Sequence, residues 1–222
     1  MKKSPRKSPT PRTLPRREDG METRARLMRA AGMIFAQEGY QAASLRAICQ
    51  SANANLGAVR YYFGGKEALY RETLFSTYRD LTERGSIADM DVSGPPDEAL
   101  RLFTRSFIVS LMQRRRDYPY LPAMMMRELA LPTNVFDELV REVFLPIRLK
   151  LSGIVGRLLE KKAPTAQIEE TANRIVLLVI QFALCRPLLE RFPGKIPEKP
   201  AEIEAMAERV FTFIMHGINP RP

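Results

Sequence analysis

Residues 51–70 read SANANLGAVRYYFGGKEALY. Arg60, Tyr61 and Tyr62 follow one another in a segment short enough to be one helix, and Gly64-Gly65 interrupts it before Lys66. On a wheel with Val59 turned inward, Phe63 and Tyr62 fall on or near the inner side, while Gly57, Arg60 and Tyr61 point outward. Asn53 tolerates the left-handed backbone of a tight turn, and Asn55 is placed to cap the helix and is counted with its neighbours among the expected DNA-binding residues. Upstream, Ser44 is placed to cap a short helix carrying Leu45, Ile48 and Cys49. Two short helices joined by a tight turn form a helix-turn-helix, which offers its second helix to the major groove.

The outward residues then acquire separate expectations. Arg60 suits a bidentate pair with guanine, Tyr61 is free for DNA, and Gly57 and Ala58 let the helix come close to base edges. Tyr62 can anchor its ring in the core and offer its hydroxyl to a phosphate. Leu56 lies on the flank, either as core or against a thymine methyl. Arg46 sits where the second helix crosses the backbone or the groove edge. Lys66 opens a fourth helix, where free amides and the helix dipole favour a phosphate. Each residue alone would ordinarily read as solvated surface, and their joint placement around one turn carries the argument.

Charge points the same way. Of the net +10, residues 1–20 carry +5, residues 21–84 carry +3 and residues 85–222 only +2. Such concentration at one end suggests contact with a polyanion, nucleic acid being the usual one. Residues 1–20, MKKSPRKSPTPRTLPRREDG, are rich in Pro, Ser and basic residues and are expected to be a disordered basic tail. Such an arm could enter the minor groove, and a non-specific architectural binder driven by it is a competing reading. Met21 is an alternative start.

From about Glu22, Leu27, Ala30, Ala31, Ile34 and Phe35 recur at helical spacing up to a stop at Gly39. The fourth helix runs to about Arg84. A Gly/Pro break at 85–96 follows, and everything beyond it reads helical: a helix capped by Asp97 to about Arg116, a Met-rich segment at 119–131, and a helix from Thr133 to about Lys162 kinked at Pro146. A long helix capped by Thr165 then reaches about Glu190, and a last one spans about 201–217. The expected fold is all-α, with an N-terminal three-helix helix-turn-helix domain and connecting helix at 21–84 and a larger C-terminal ligand-binding and dimerisation domain at 85–222. Residues 175–185 are apolar nearly all round, so that helix needs cover on both sides. The last helix, with Ile203, Met206, Val210, Phe213 and Ile214 on one stripe, is expected to complete a homodimer interface with the helix at about 165–190.

No apolar run approaches the roughly 20 residues of a membrane span, and no secretory signal pattern follows the basic start. The two cysteines, Cys49 and Cys185, are expected to be buried thiols. A cytoplasmic protein without membrane contact is the expectation. The one His, His216, the absence of a Cys/His zinc pattern and the lack of a phosphate-binding Gly loop argue against an enzyme, a metal or a cofactor. A pocket between helices would be mostly apolar. Its candidates are Phe103, Phe107, Met124, Met125, Phe136, Phe144, Gln181 and the pair Arg127-Glu128, suited to an apolar or amphipathic effector.

The run 23–74 resembles the DNA-binding domain of the TetR family of transcriptional regulators. The resemblance rests on Ala30-Ala31 and Phe35, the Glu38-Gly39-Tyr40 corner, Ser44 before Ile48, the 52–55 turn, and Tyr62-Phe63 followed by Lys66-Glu67-Ala68-Leu69. It implies an all-helical homodimer that reads a palindromic double-stranded operator and is released by a small molecule bound in the C-terminal domain. By position, it places DNA contacts on Leu45, Arg46, Leu56, Gly57, Ala58, Arg60, Tyr61 and Lys66, with Tyr62 on a phosphate. Asn53 stands where the family usually has Gly, Leu56 and Ala58 where it is commonly polar, and Arg60 where Tyr is common. The run 126–147 is similar to the CecR-like (YbiH-type) branch, whose members are linked to drug response and efflux.

Overall fold

The computed structural model describes residues 17–218 except 84–86, 88, 160–162 and 195. Among the described residues the ordered elements are helical, in the sequence α1 (Arg17–Ala42), α2 (Leu45–Ser51), α3 (Leu56–Phe63), α4 (Lys66–Glu83), α5 (Pro96–Asp117), α6 (Leu121–Ala130) and α7 (Asn134–Leu139). A π-helical turn (Val140–Phe144) leads into α8 (Leu145–Leu158), followed by α9 (Thr165–Leu184), α10 (Arg186–Leu189) and α11 (Pro200–Ile218). None of the described helices is long and apolar enough to cross a membrane.

Local chemistry accounts for the boundaries. Gly39 adopts φ 82°, which turns the chain at the end of α1, and Gly64 adopts φ 84° as the left-handed cap of α3; both are conformations that a Cβ disfavours. Asn53 takes φ 47° in the turn between α2 and α3. Pro146 has no N–H to donate to the preceding turn, and the expected kink there takes the form of the π-helical turn just before α8.

Several expectations shift. Helix α1 begins at Arg17, so residues 17–20, read as part of a disordered tail, are helical, while residues 1–16 lie outside the described residues. Pro95 and Pro164, rather than Asp97 and Thr165, occupy the cap positions of α5 and α9. The long helix expected to reach 190 ends at Leu184 and resumes as α10, with Pro187 unable to continue the bonding of α9. Cys49 is buried as expected, but Cys185 falls at that break and is exposed.

The described residues form two apolar cores. One joins α1–α4 to Tyr120, Leu121, Met124, Met125, Val135 and Leu139, so the packing passes across the Gly/Pro break at 85–96. The other is built from α5, α8, α9 and α11. Where α6 approaches α1, the Tyr120 ring fills the space beside Gly32, and a Cβ there would lie 2.4 Å from it. Arg127 on α6 donates from Nε to the Ala36 carbonyl at 2.9 Å and from Nη2 to that of Gln37, satisfying carbonyls near the end of α1. Glu128, 1% exposed, accepts from the Tyr70 hydroxyl, from Thr133 N at 2.9 Å and from Thr133 Oγ1 at 3.0 Å.

The stripe assigned to a dimer interface on α11 is divided. Met206, Val210 and Ile214 are buried in the chain's own second core, because this face of α11 packs on α5. Phe213 stays 68% exposed, and Leu177 on α9 63% exposed.

Candidate nucleic-acid interface and effector cavity

The short α2–turn–α3 unit is held by polar caps outside and apolar contacts inside. Ser44 Oγ accepts from Ala47 N at 3.2 Å, and Asn55 Oδ1 from Ala58 N at 2.9 Å. Asn53 N donates to Gln50 O at 3.2 Å and Ala54 N to Cys49 O at 2.9 Å, closing the turn. Ile48, Cys49, Val59 and Phe63 face the core, which fixes the opposite face of α3 outward.

That outward face presents Leu56, 52% exposed, and Tyr61, 82% exposed, beside exposed Gly57 and Arg60. Leu56 is therefore not core. Ala58 and Leu45 are half-buried, and Arg46 is exposed at the start of α2. Among the described residues neither Arg46 nor Arg60 has an ion-pair partner. A Cβ on Gly57 would come 3.0 Å from Asn55 Oδ1, so the bare backbone accommodates the cap as well as leaving the surface open.

Tyr62 is half-buried, its ring edge-on to Tyr61 at 4.9 Å. A Cβ at Gly20 would lie 3.2 Å from its hydroxyl, so the first turn of α1 passes beside it. Lys66 Nζ donates to the Gln41 carbonyl at 3.0 Å and lies 4.9 Å from the centre of the Tyr40 ring. It ties α4 to the end of α1 and keeps further N–H donors for an anion. Arg24 supports the same face from behind, paired with Glu72 at 2.7 Å and lying over the Phe63 ring.

A second site lies between α4, α5, α6, α7, the π-helical turn, α8 and α9. It is a cavity of about 360 Å³ lined by Tyr78, Phe107, Leu111, Arg114, Arg115, Leu121, Met125, Phe136, Val140, Phe144, Val176 and Ile180, among others. Its size falls within the range of small-molecule pockets. Of the residues singled out in the sequence, Phe107, Met125, Phe136 and Phe144 line it.

The remaining pocket candidates are elsewhere. Phe103 and Met124 are fully buried packing residues. Arg127 and Glu128 hold the joint between α6, α1 and α4, because their polar groups are consumed there. Gln181 donates back to the Leu178 carbonyl at 2.8 Å and does not reach the lining.

Sequence reading missed Tyr78, Arg114 and Arg115. A signal existed: the inward stripe Leu100, Phe103, Phe107, continued at helical spacing, reaches Leu111 and then Arg114. The run Arg114-Arg115-Arg116 instead resembles ordinary basic residues in a last helical turn. Burial pushes the Arg114 guanidinium down from its usual range, and the Tyr78 hydroxyl up. The two stack, with the guanidinium carbon 4.7 Å from the ring centre.

The model of the tetR family of bacterial regulatory proteins matches residues 27–73. That of the C-terminal domain of the HTH-type transcriptional dual regulator CecR matches residues 96–218. The chain is 22% identical to the probable HTH-type transcriptional regulator YttP of Bacillus subtilis, over 54% of its own length and 56% of that protein. It is 29% identical to the HTH-type transcriptional repressor NicS of Pseudomonas putida, over 41% of its length and 43% of that protein. These matches span about half the length of the curated relatives. In fold the chain is similar to a putative fatty acid metabolism regulator of Clostridium perfringens, with a TM-score of 0.64 at 18% identity, covering 87% of this chain and 96% of that one. These comparisons point to a regulator rather than an enzyme. With its helix-turn-helix matched by one model and α5–α11 by the other, the chain belongs to the TetR family of transcriptional regulators and carries a C-terminal domain of the CecR type.

Proposed function

We propose that the protein is a cytoplasmic, homodimeric repressor that reads a palindromic operator with α3 and is released from it by an apolar or amphipathic effector held in the cavity. The observation that carries this reading is the exposed face of α3. Arg60 and Tyr61 project from a helix whose opposite side is buried and whose start is capped, so they are presented on a rigid support, Arg60 without an ion-pair partner among the described residues and Tyr61 steadied by the Tyr62 ring. Arg46 and the remaining donors of Lys66 flank that face as phosphate contacts.

Coupling to the cavity runs through α4. Its first residue, Lys66, is tied to the end of α1, and Tyr78, three turns on, lines the cavity. An effector that shifts Tyr78 therefore pushes on the helix that positions α3. For the dimer, Leu177 and Phe213 supply exposed apolar groups on the α9 and α11 helices, which also contact each other within the chain. The repressor sense is that of the relative NicS.

Selection of bound fragments from the source genome by the purified full-length protein, repeated with a compound panel, tests the reading. A palindromic site bound by the wild type is expected, with specific affinity lowered by about 1–3 kcal/mol in Arg60→Ala. Capture of unrelated fragments with no preferred site would reject it.

A further inference from the structure

The cavity wall is apolar on most sides, yet its polar members are unbalanced. Among the described residues the lining includes Arg114, Arg115 and Arg148 and no carboxylate. Arg148 is neutralised nearby, since it pairs with Glu169 and donates to Asn173 Oδ1 at 2.9 Å and to the Glu169 carbonyl at 2.8 Å. Arg114 is different. It is 5% exposed, its Nη2 donates to Ser110 Oγ at 2.8 Å, and its Nε is buried without a hydrogen-bond partner. Among the described residues no carboxylate lies within ion-pair distance of it. Arg115, half-buried next to it, adds charge of the same sign, and burial pushes its guanidinium down as well.

A guanidinium keeps its proton at physiological pH, so this charge cannot be relieved by deprotonation. The Tyr78 ring and the Ser110 hydroxyl are neutral partners, so the buried charge keeps no counter-charge among the described residues, which is costly, and an orphaned donor beside an empty volume is satisfied when the volume is filled by an acceptor. We propose that the cavity binds an organic anion, a carboxylate on an apolar body, with Arg114 as the carboxylate receptor and Arg115 beside it. The planar fork of Nε and one Nη receives the two carboxylate oxygens, and Phe107, Met125, Phe136 and Phe144 cover the apolar body. This inference rests on reading the cavity as the effector site. A neutral apolar molecule would leave Arg114 Nε unsatisfied, and a cation would meet like charge.

Two sources share this chemistry, a flexible acyl chain and an aromatic acid, and paired probes separate them. Binding of dodecanoate, dodecan-1-ol, dodecyltrimethylammonium, 2-naphthoate and 2-naphthol to the full-length protein is measured by displacement of the neutral dye Nile red. Hydrogen bonds to charged groups are strong enough that the acid in at least one pair is expected to bind about tenfold or more tighter than its alcohol. The pair showing the larger preference identifies the body. In Arg114→Met, which removes the charge at similar length, the preference falls to near unity while Nile red still binds; Arg114→Lys keeps an intermediate preference.

Equal binding of acid and alcohol in both pairs, or a preference undiminished in Arg114→Met, overturns the anion assignment and leaves the cavity as an effector site. If neither Nile red nor any probe binds the wild type, the cavity reading falls together with this one.

Discussion

Tyr70→Phe removes one hydroxyl from the joint between the two halves of the chain and leaves the ring in place. The ring lies edge-on to Phe35 at 4.8 Å and tilted against Tyr40 at 5.0 Å, contacts that a phenyl group retains. What is lost is the donor to Glu128, a carboxylate only 1% exposed, which then depends on Thr133 N at 2.9 Å and Thr133 Oγ1. Hydrogen bonds to charged groups contribute about 1.5–3 kcal/mol, and with Thr133 still donating we expect a loss of about 2 kcal/mol. At about 2–4 °C per kcal/mol for a chain of this length, thermal unfolding followed by circular dichroism should show Tm lowered by about 4–8 °C. Glu128→Gln and the double variant complete a cycle, in which a coupling above about 1 kcal/mol is expected. A Tyr70→Phe protein within about 0.5 kcal/mol of the wild type, the range of an ordinary surface change, would refute the view that this buried carboxylate leans on the hydroxyl.

Other outcomes follow from the same geometry. Asn55→Ala removes the cap of α3 and should cost about 1 kcal/mol in denaturant unfolding, with a parallel loss of operator affinity because the first turn of α3 frays. Gly32→Ala places a Cβ 2.4 Å from the Tyr120 ring and should destabilise by about 1–3 kcal/mol, an effect that Tyr120→Leu in the same chain relieves. Burial pushes the Tyr120 hydroxyl from its usual 10.0 up to about 12. The neutral form is thus favoured in the folded state, so its contribution is complete below the unfolded value and is lost as pH rises towards the folded one. Alkaline unfolding curves should decline through that window, less steeply in Tyr120→Phe. Phe213→Glu, at a 68% exposed position, should leave the fold intact and shift sedimentation from dimer towards monomer. An unchanged dimer would remove that face from the interface.

The helix-turn-helix was almost fully legible because its determinants are local. Ser44 and Asn55 cap helices that start within one residue of them, Asn53 and Gly64 occupy positive φ, and Val59 and Phe63 recur at helical spacing. Leu56 was undecided because a wheel position at the edge of the buried arc does not say what lies opposite; the neighbouring helices leave it open. The cavity was half legible. Aromatic and Met residues mark apolar surface, but whether Phe107 lines a void or, like Phe103, fills one depends on the shape of six other elements. Arg127-Glu128 misled because polar residues in an apolar stretch can serve a ligand or a joint, and here backbone carbonyls from α1 and a hydroxyl from α4 take them.

The sequence by itself determined the helical class, the position of α3 and the outward orientation of Arg60 and Tyr61, since caps, turn residues and apolar periodicity act over a few residues. Tertiary structure decided what is remote in sequence. It brought α6 onto α1 through Tyr120 and Gly32, turned Met206, Val210 and Ile214 inward, and enclosed Arg114 beside Tyr78. Burial of a side chain depends on every element packed around it, and no local pattern contains that sum.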